Sequence, residues 1–302
     1  MDAIDDRQLA ALAAAVEEGS FDAAARRLQV TPSAVSQRIK ALERRVGQVL
    51  VLRSRPCRAT EAGQVLVRLA GQTALLHSEA LAEVTGRGDT LRLAVAVNAD
   101  SLSTWFPRVL EGLPEGVVVD LQREDQDHSA ALLRDGSVMA AVTANARAVQ
   151  GCRVEALGAM RYRAVAAPDY YARWFGSGVH AALGTAPVLA FNRKDALQQR
   201  FVQQVTGRRL RSPVHYAPSS WAYVELVRQG LGWGMVPEVM AREAIEEGRL
   251  VLVDRGHLDV PLYWQHWRLE APALRDLTDR VSRTARTVLH AVGGRPRPTG
   301  VF

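Results

Sequence analysis

Ser20-Phe-Asp-Ala-Ala-Ala-Arg-Arg-Leu-Gln-Val-Thr-Pro-Ser-Ala-Val-Ser-Gln-Arg-Ile-Lys-Ala-Leu-Glu43 reads as two short helices joined by a tight turn. Ser20 suits the N-cap of the first, where its hydroxyl accepts an amide that the opening turn leaves unpaired. Phe21, Ala24, Ala25 and Leu28 recur at helical spacing and give that helix one apolar face. Gln29-Val30 breaks the pattern. Thr31-Pro32 restarts it, with Thr31 as N-cap and Pro32 at the first helical position, where a missing N–H costs nothing. Val35, Ile39 and Leu42 then face inward, while Ser33, Ser36, Gln37 and Lys40 face outward and Arg38 lies on the flank. A short helix that packs on a partner and shows hydroxyls, an amide and cations suits insertion into a DNA major groove. A plain surface corner of two helices would carry the same apolar pattern.

The surroundings favour a nucleic-acid reading. From Arg26 to Arg58 nine cations stand against Glu43 alone, more than the +6 excess of the whole chain, so the remainder is slightly acidic. A basic patch confined to one region is the electrostatic footprint of a polyanion site. Upstream, Leu9, Leu12, Ala13 and Val16 mark a first helix that Gly19 ends. Downstream, Val49–Ser54 and Cys57–Ala59 flank Arg55-Pro56 as a small hairpin. Its Arg53, Arg55 and Arg58 are placed to lie along phosphates. Thr60 then caps a helix running to about Val84, with an apolar stripe of Val65, Leu66, Leu69, Leu76, Leu81 and Val84. A helix of that size is about 37 Å long, too long for a small domain to cover. Its stripe is expected to meet a second copy, which would set two groove-reading helices about one DNA turn apart.

A chain of 302 residues holds two or three domains, and 48% hydrophobic content is enough to build their cores. No apolar run reaches bilayer-spanning length, and Met1-Asp-Ala-Ile-Asp-Asp is acidic where a secretory signal would be basic. A cytoplasmic protein without membrane contact is expected. Cys57 and Cys152 are too few and too far apart for a disulfide framework or a zinc site.

Thr85-Gly-Arg-Gly-Asp89 is a linker, and beyond it the periodicity changes. Strands are expected at 90–97, 117–121 and 138–143, with helices from about Leu102 to Leu110 and up to Arg134 between them. Further strands are expected at 156–157, 162–167, 188–191, 214–216, 250–253 and 261–269. Gly230-Leu-Gly-Trp-Gly-Met-Val-Pro237 suits close backbone approach, and Ala273–Val292 is a closing helix. The alternating short strands and helices of 90–143 argue for a parallel sheet covered on both faces. The Gly/Pro-rich tail 293–302 reads as disordered.

Pro32-Ser-Ala-Val-Ser-Gln-Arg-Ile-Lys-Ala-Leu-Glu43, the arginine hairpin, the 60–84 helix and the α/β remainder resemble the LysR-type transcriptional regulators over residues 5–292. Val97-Asn-Ala-Asp-Ser-Leu102, Phe191-Asn-Arg-Lys-Asp195 and Leu262-Tyr-Trp-Gln-His-Trp267 further resemble the ArgP/LysG branch of that family. Its members sense basic amino acids and activate a lysine/arginine exporter gene. The resemblance implies an α/β fold class with an all-α winged helix-turn-helix domain at 1–59, a linker and dimerisation helix at 60–85 and a hinge at 86–89. It implies a two-lobed, periplasmic-binding-protein-like effector domain at 90–302, with lobe I at about 90–161 plus 268–292 and lobe II at about 162–267. The effector would lie between those lobes. It also implies a homodimer or homotetramer acting on a double-stranded DNA operator, with RNA polymerase as a further partner. Thr31, Pro32, Ser33, Ser36, Gln37, Arg38 and Lys40 would then face the groove and Arg53, Arg55 and Arg58 the phosphates.

The residues indicate an effector site by a second route. In open α/β sheets, ligands bind beyond the carboxyl ends of the strands. Those ends carry Asn98, Asp100 and Ser101, then Glu124, Asp125 and Asp127, then Thr143, and in the later part Asn192, Arg193 and Ser219. Ser101, Arg193 or Ser219 could meet an α-carboxylate. Asp100 and the 124–127 cluster could meet a basic side chain, because a buried ammonium without a partner is very costly. Each of these acids equally suits the first turn of its own helix. No nucleophile elbow, phosphate-cradling loop or metal-ligand cluster is present, so no enzyme and no cofactor or metal is expected. A nucleoid-type or replication-control DNA binder would explain the N-terminal region alone, and a cytoplasmic amino-acid-binding protein the remainder alone.

Overall fold

The computed structural model describes residues 4–85, 90–124, 129–209 and 211–291. Asp5 caps α1 (Asp6–Glu17), accepting a hydrogen bond from the Arg7 amide at 2.9 Å. Ser20 and Thr31 cap α2 (Phe21–Arg27) and α3 (Pro32–Val46), each hydroxyl accepting at 3.2 Å from the amide of Ala23 or Ala34. The break between them is made by Gln29, whose φ of 53° lies in the left-handed region. Gly47 ends α3 at φ 73°. Leu9, Leu12, Ala24, Ala25, Val35, Ile39 and Leu42 form the centre of one apolar core, joined by Leu50, Val51 and Cys57.

The hairpin has only two residues in each arm, β1 (Val51–Leu52) against β2 (Arg58–Ala59). It is shorter than the sequence suggests. Pro56 has no amide to donate, and the Cys57 amide donates instead to the Gly19 carbonyl at 2.8 Å. α4 (Glu61–Thr85) runs for 25 residues. One side buries Val67, Ala70 and Leu75, while Val65 at 53% exposure, Leu69, Leu76, Leu81 and Val84 at 84% stay open to solvent. No described helix is long and apolar enough to cross a membrane.

Next come β3 (Leu91–Val97), α5 (Ala99–Ser103), a 3-10 turn (Phe106–Leu110), β4 (Val117–Arg123), α6 (Ser129–Asp135) and β5 (Ala140–Thr143). The single helix expected over 102–110 is split here, since Pro107 cannot donate to an α-helical ladder. β6 (Cys152–Ala166), α7 (Pro168–Phe175), α8 (Val179–Ala182), β7 (Val188–Ala190), α9 (Leu197–Thr206) and β8 (Val214–Tyr216) follow. The chain ends through α10 (Ser220–Arg228), β9 (Gly234–Pro237), α11 (Glu238–Glu246), β10 (Val251–Trp267) and α12 (Pro272–Val288). The pairs of strands expected at 156–157 and 162–167, and at 250–253 and 261–269, are the two long strands β6 and β10. The hinge at 86–89 and the tail 293–302 lie outside the described residues.

Two compact units result, each drawing on separate stretches of chain. The first takes the chain up to Asn98, Gly112–Glu155 and Trp264–Asp279; the second takes Ala99–Glu111, Ala156–Tyr263 and the chain from Arg280 on. In the first unit β3 pairs in parallel with β4, Leu91 opposite Val117, and with β5, Val95 opposite Ala140. In the second unit β6 and β9 run antiparallel, Tyr162 opposite Pro237, while β7 and β8 are parallel. The parallel pairing expected over 90–143 is present in β3, β4 and β5, while in the second unit β9 lies antiparallel beside β6. The second unit's core holds Val165, Leu189, Tyr223, Val227, Val236 and Ala241. The glycine-rich approach to β9 is used as its composition suggests: a Cβ on Gly234 would lie 2.5 Å from the Tyr223 hydroxyl.

Gly63 sits where α4 meets the hairpin, and a Cβ there would lie 2.1 Å from the Leu50 carbonyl oxygen. Backbone on both sides leaves little room to yield, so Gly63→Ala is expected to destabilise this junction by about 1–3 kcal/mol. Urea unfolding of the variant, read as a lowered midpoint at unchanged slope, checks this.

Candidate functional site

α3 is oriented by what it buries. With Val35, Ile39 and Leu42 at 1% exposure or less, the 3.6-residue period turns Ser33, Gln37 and Lys40 to solvent, with Ser36 and Arg38 partly covered. Positions 33, 36, 37 and 40 share one helix face, and Thr31 and Pro32 lie exposed at its start. Arg53, Arg55 and Arg58 are all exposed beside the hairpin. The Arg53 guanidinium is braced over the Phe21 ring, 5.3 Å from its centroid. Glu43, the one acid of the basic stretch, is committed to structure: its Oε1 accepts from the Leu50 amide at 2.9 Å, fastening the hairpin to α3. Arg27 is committed as well, pairing with Glu17 and Glu18. What remains is a polar helix face flanked by exposed arginines, with hydroxyls and an amide able to read base edges and guanidinium groups able to hold phosphates.

In the second unit the candidate residues centre on Asp100, in the first turn of α5. The Tyr162 hydroxyl, from β6, donates to its Oδ2 at 2.6 Å, and the Ser220 hydroxyl, from the first turn of α10, donates to its Oδ1 at 2.7 Å. Burial raises the Asp100 pKa above its ordinary value, the two hydroxyls pull it back down, and the charge of Asp195 raises it further. Burial and the Asp100 charge hold Tyr162 well above the usual phenol range, so it stays a neutral donor.

Around this centre the other groups are occupied. Asp195 accepts from the Phe191 amide at 2.8 Å, the Leu197 amide at 3.0 Å and the Gln198 side chain at 3.0 Å. Tyr223 donates to the Leu189 carbonyl at 2.9 Å and accepts from Gln198 and the Met235 amide, both at 3.1 Å. Asn192 closes a turn by accepting from the Lys194 and Asp195 amides. Ser219 serves as N-cap of α10, facing the Ala222 amide at 3.5 Å. Arg193 is exposed and lies over the Tyr216 ring, 5.2 Å from its centroid.

The remaining candidates are divided. Ser101 is fully buried within α5. Asn98, Glu124 and Thr143 lie in the first unit, at the carboxyl ends of β3, β4 and β5, with Thr143 accepting from the Asn145 amide at 3.1 Å. Asp125 and Asp127 fall outside the described residues. Of the two groups that hold Asp100, sequence reasoning did not assign Tyr162 to the site and placed Ser220 there only within the run Ser219-Ser220-Trp221, choosing Ser219. Tyr162 was the hydroxyl-bearing residue at the head of the strand Tyr162–Ala167.

Comparison with known proteins covers both regions. Residues 7–64 match the family model described as bacterial regulatory helix-turn-helix protein, lysR family, and residues 85–286 match the LysR substrate binding domain. The HTH-type transcriptional regulator LysG of Mycobacterium tuberculosis is 52% identical over 298 residues, 98% of each chain. The crystal structure of ArgP from Mycobacterium tuberculosis superposes with a TM-score of 0.89 at 51% identity, covering 97% of this chain and 100% of that one. Full-length LysG from Corynebacterium glutamicum with bound effector Arg gives a TM-score of 0.79 at 42% identity, covering 95% of this chain and 99% of that one.

The raised pKa of Asp100 has a signed consequence for stability. A folded state that holds its proton more tightly than the unfolded chain gains from that group at low pH. It loses the gain as pH rises from the ordinary value of 3.8 through the raised one. Asp100→Asn cannot ionise and escapes that loss. Its melting temperature relative to the unsubstituted protein is expected to rise across this interval and then level off. Thermal unfolding followed from pH 4 to pH 8 checks the sign, and a difference that falls with pH would contradict it.

Proposed function

Because this chain belongs to the LysR family of bacterial helix-turn-helix regulators, we propose that it is a cytoplasmic, ligand-responsive transcriptional activator. It senses lysine or arginine and switches on a gene for a basic amino-acid exporter. α3 enters the major groove of the operator with Thr31, Pro32, Ser33, Ser36, Gln37, Arg38 and Lys40. Arg53, Arg55 and Arg58 hold the flanking phosphates. Two chains pair along the exposed row of α4, Val65, Leu69, Leu76 and Val84, as a homodimer that can assemble further into a tetramer. That pairing spaces the two α3 helices for an operator with two half-sites, and RNA polymerase is the partner that the bound dimer recruits.

The observation that carries the ligand reading is Asp100: a carboxylate held by two hydroxyls, with no cationic side chain among its partners in the described residues. A basic amino acid supplies the missing charge. Its α-carboxylate has Arg193 and the amides at the start of α10 as candidate partners, and Asn98, Ser101, Glu124, Asp125, Asp127, Thr143, Asn192 and Ser219 remain candidates for further contact. The Arg-bound relative supports the same ligand class.

Titration of the purified protein with the twenty amino acids tests the reading directly: heat of binding is expected for lysine and arginine. A footprint on DNA upstream of the chain's own gene is expected to change when either is added. Weak binding without sequence preference or ligand response would favour a nucleoid-type protein, and ligand binding without DNA binding an amino-acid-binding protein. Gln37→Ala or Ser36→Ala is expected to cost about 1–3 kcal/mol of discrimination between operator and scrambled DNA. Competition binding at fixed salt measures it. Asp100→Asn is expected to weaken arginine binding about tenfold or more, read by calorimetry.

A further inference from the structure

We propose that Tyr162 and Ser220 are positioning residues for the cationic ligand: from β6 and α10 they fix the two Asp100 oxygens, leaving the remaining lone pairs of the carboxylate to the ligand's ammonium or guanidinium group. The inference rests on the reading of Asp100 given above and adds the residues that make it work.

The geometry is specific. Each Asp100 oxygen takes one short hydroxyl donor, at 2.6 Å from Tyr162 and 2.7 Å from Ser220. An ionised carboxylate has about four acceptor sites, so one donor on each oxygen orients the group and leaves it unsaturated. The two donors come from different elements, 62 and 120 residues away in sequence, and both residues are buried. The carboxylate is therefore fixed in rotation. A hydroxyl donor also favours the ionised form, offsetting the burial and the charge of Asp195 that favour the neutral acid. Of the groups facing this site, Tyr162 and Tyr223 stay neutral, because burial pushes both phenols far above their usual range. Asp195 is occupied by the Phe191 and Leu197 amides and by Gln198. Asp100 is left as the titratable group whose ionised form a bound cation would favour.

A purely structural clasp between α5, β6 and α10 would have a different signature from a positioning role. Removing a clasp lowers ligand affinity equally at every pH. Removing a positioning donor lets the Asp100 pKa climb, so affinity is lost at a higher pH and returns when pH is raised further. The test is calorimetric titration of the full-length protein with arginine between pH 5.5 and pH 8.5, for the unsubstituted protein, Tyr162→Phe, Ser220→Ala and Asp100→Asn. For Tyr162→Phe the loss of affinity is expected to be greatest at the acidic end and to shrink as pH rises, by up to about tenfold for each pKa unit that Asp100 is displaced. Ser220→Ala, a smaller change, is expected to move the profile the same way, and it carries the test should the Tyr162 variant fail to fold. Parallel profiles, displaced equally at all pH values, would overturn the positioning role while leaving Asp100 as the ligand's partner. Unsubstituted protein that binds no arginine, or Asp100→Asn that binds it undiminished, would overturn the underlying reading of Asp100.

Discussion

Thr31 and Pro32 set the phase of α3: the hydroxyl of one takes the Ala34 amide, and the ring of the other sits where no helical hydrogen bond is lost. The first turn can begin only there, and 3.6 residues per turn then decide the rest. Val35, Ile39 and Leu42 come round to α1 and α2, and Ser33, Gln37 and Lys40 to solvent. A start one residue later would rotate the polar set by about 100° and bury part of it. The hairpin inherits the same reference, because Glu43, a turn beyond Ile39 on the same helix, holds the Leu50 amide. The exposed arginines are thereby placed relative to the exposed face of α3 by one hydrogen bond and one apolar core.

α4 answers two demands with two faces. Val67, Ala70 and Leu75 close the first unit, where the Ala273 amide also donates to Glu79 at 2.8 Å and Arg68 donates to the Gln150 carbonyl at 3.2 Å. The opposite row, Val65, Leu69, Leu76, Leu81 and Val84, is apolar and stays open to solvent among the described residues. A second copy of the chain is the proposed cover for that row.

Local chemistry was legible in the sequence because it depends on neighbours in the chain. The caps at Ser20 and Thr31, the stop at Gly47 and the length of α4 all follow from residues within one or two turns. The hairpin's true length was not legible, since it turns on a bond between Cys57 and Gly19. β6 and β10 looked fragmented because Gly158, at φ 131°, and Gly256, whose amide donates to Asp254 at 2.7 Å, interrupt the hydrophobic run without ending the strand. At the candidate ligand site the acid was visible and its supports were not. Asp100 declares itself by charge at a strand's end, whereas Tyr162 and Ser220 join it only through the fold. Ser219, chosen from the same motif, is the cap, and Ser220, one residue on, turns inward: a helix start places adjacent serines on different faces.

That shift of one residue bears on how a site of this type gains affinity. A carboxylate exposed to water binds an ammonium weakly, because water competes for both partners and screens what remains. The same carboxylate, partly stripped of water by α5, β6 and α10, attracts a cation more strongly, provided that it stays ionised and does not turn. Tyr162 and Ser220 meet both conditions at once, stabilising the charge and fixing the plane. The desolvation and the lost rotation are then borne by folding before any ligand arrives, which is the physical content of preorganisation. A neutral amino acid of similar size gains nothing from this arrangement and still displaces water from the carboxylate. On the proposed reading, discrimination in favour of basic side chains follows from the same two hydroxyls that orient the acid.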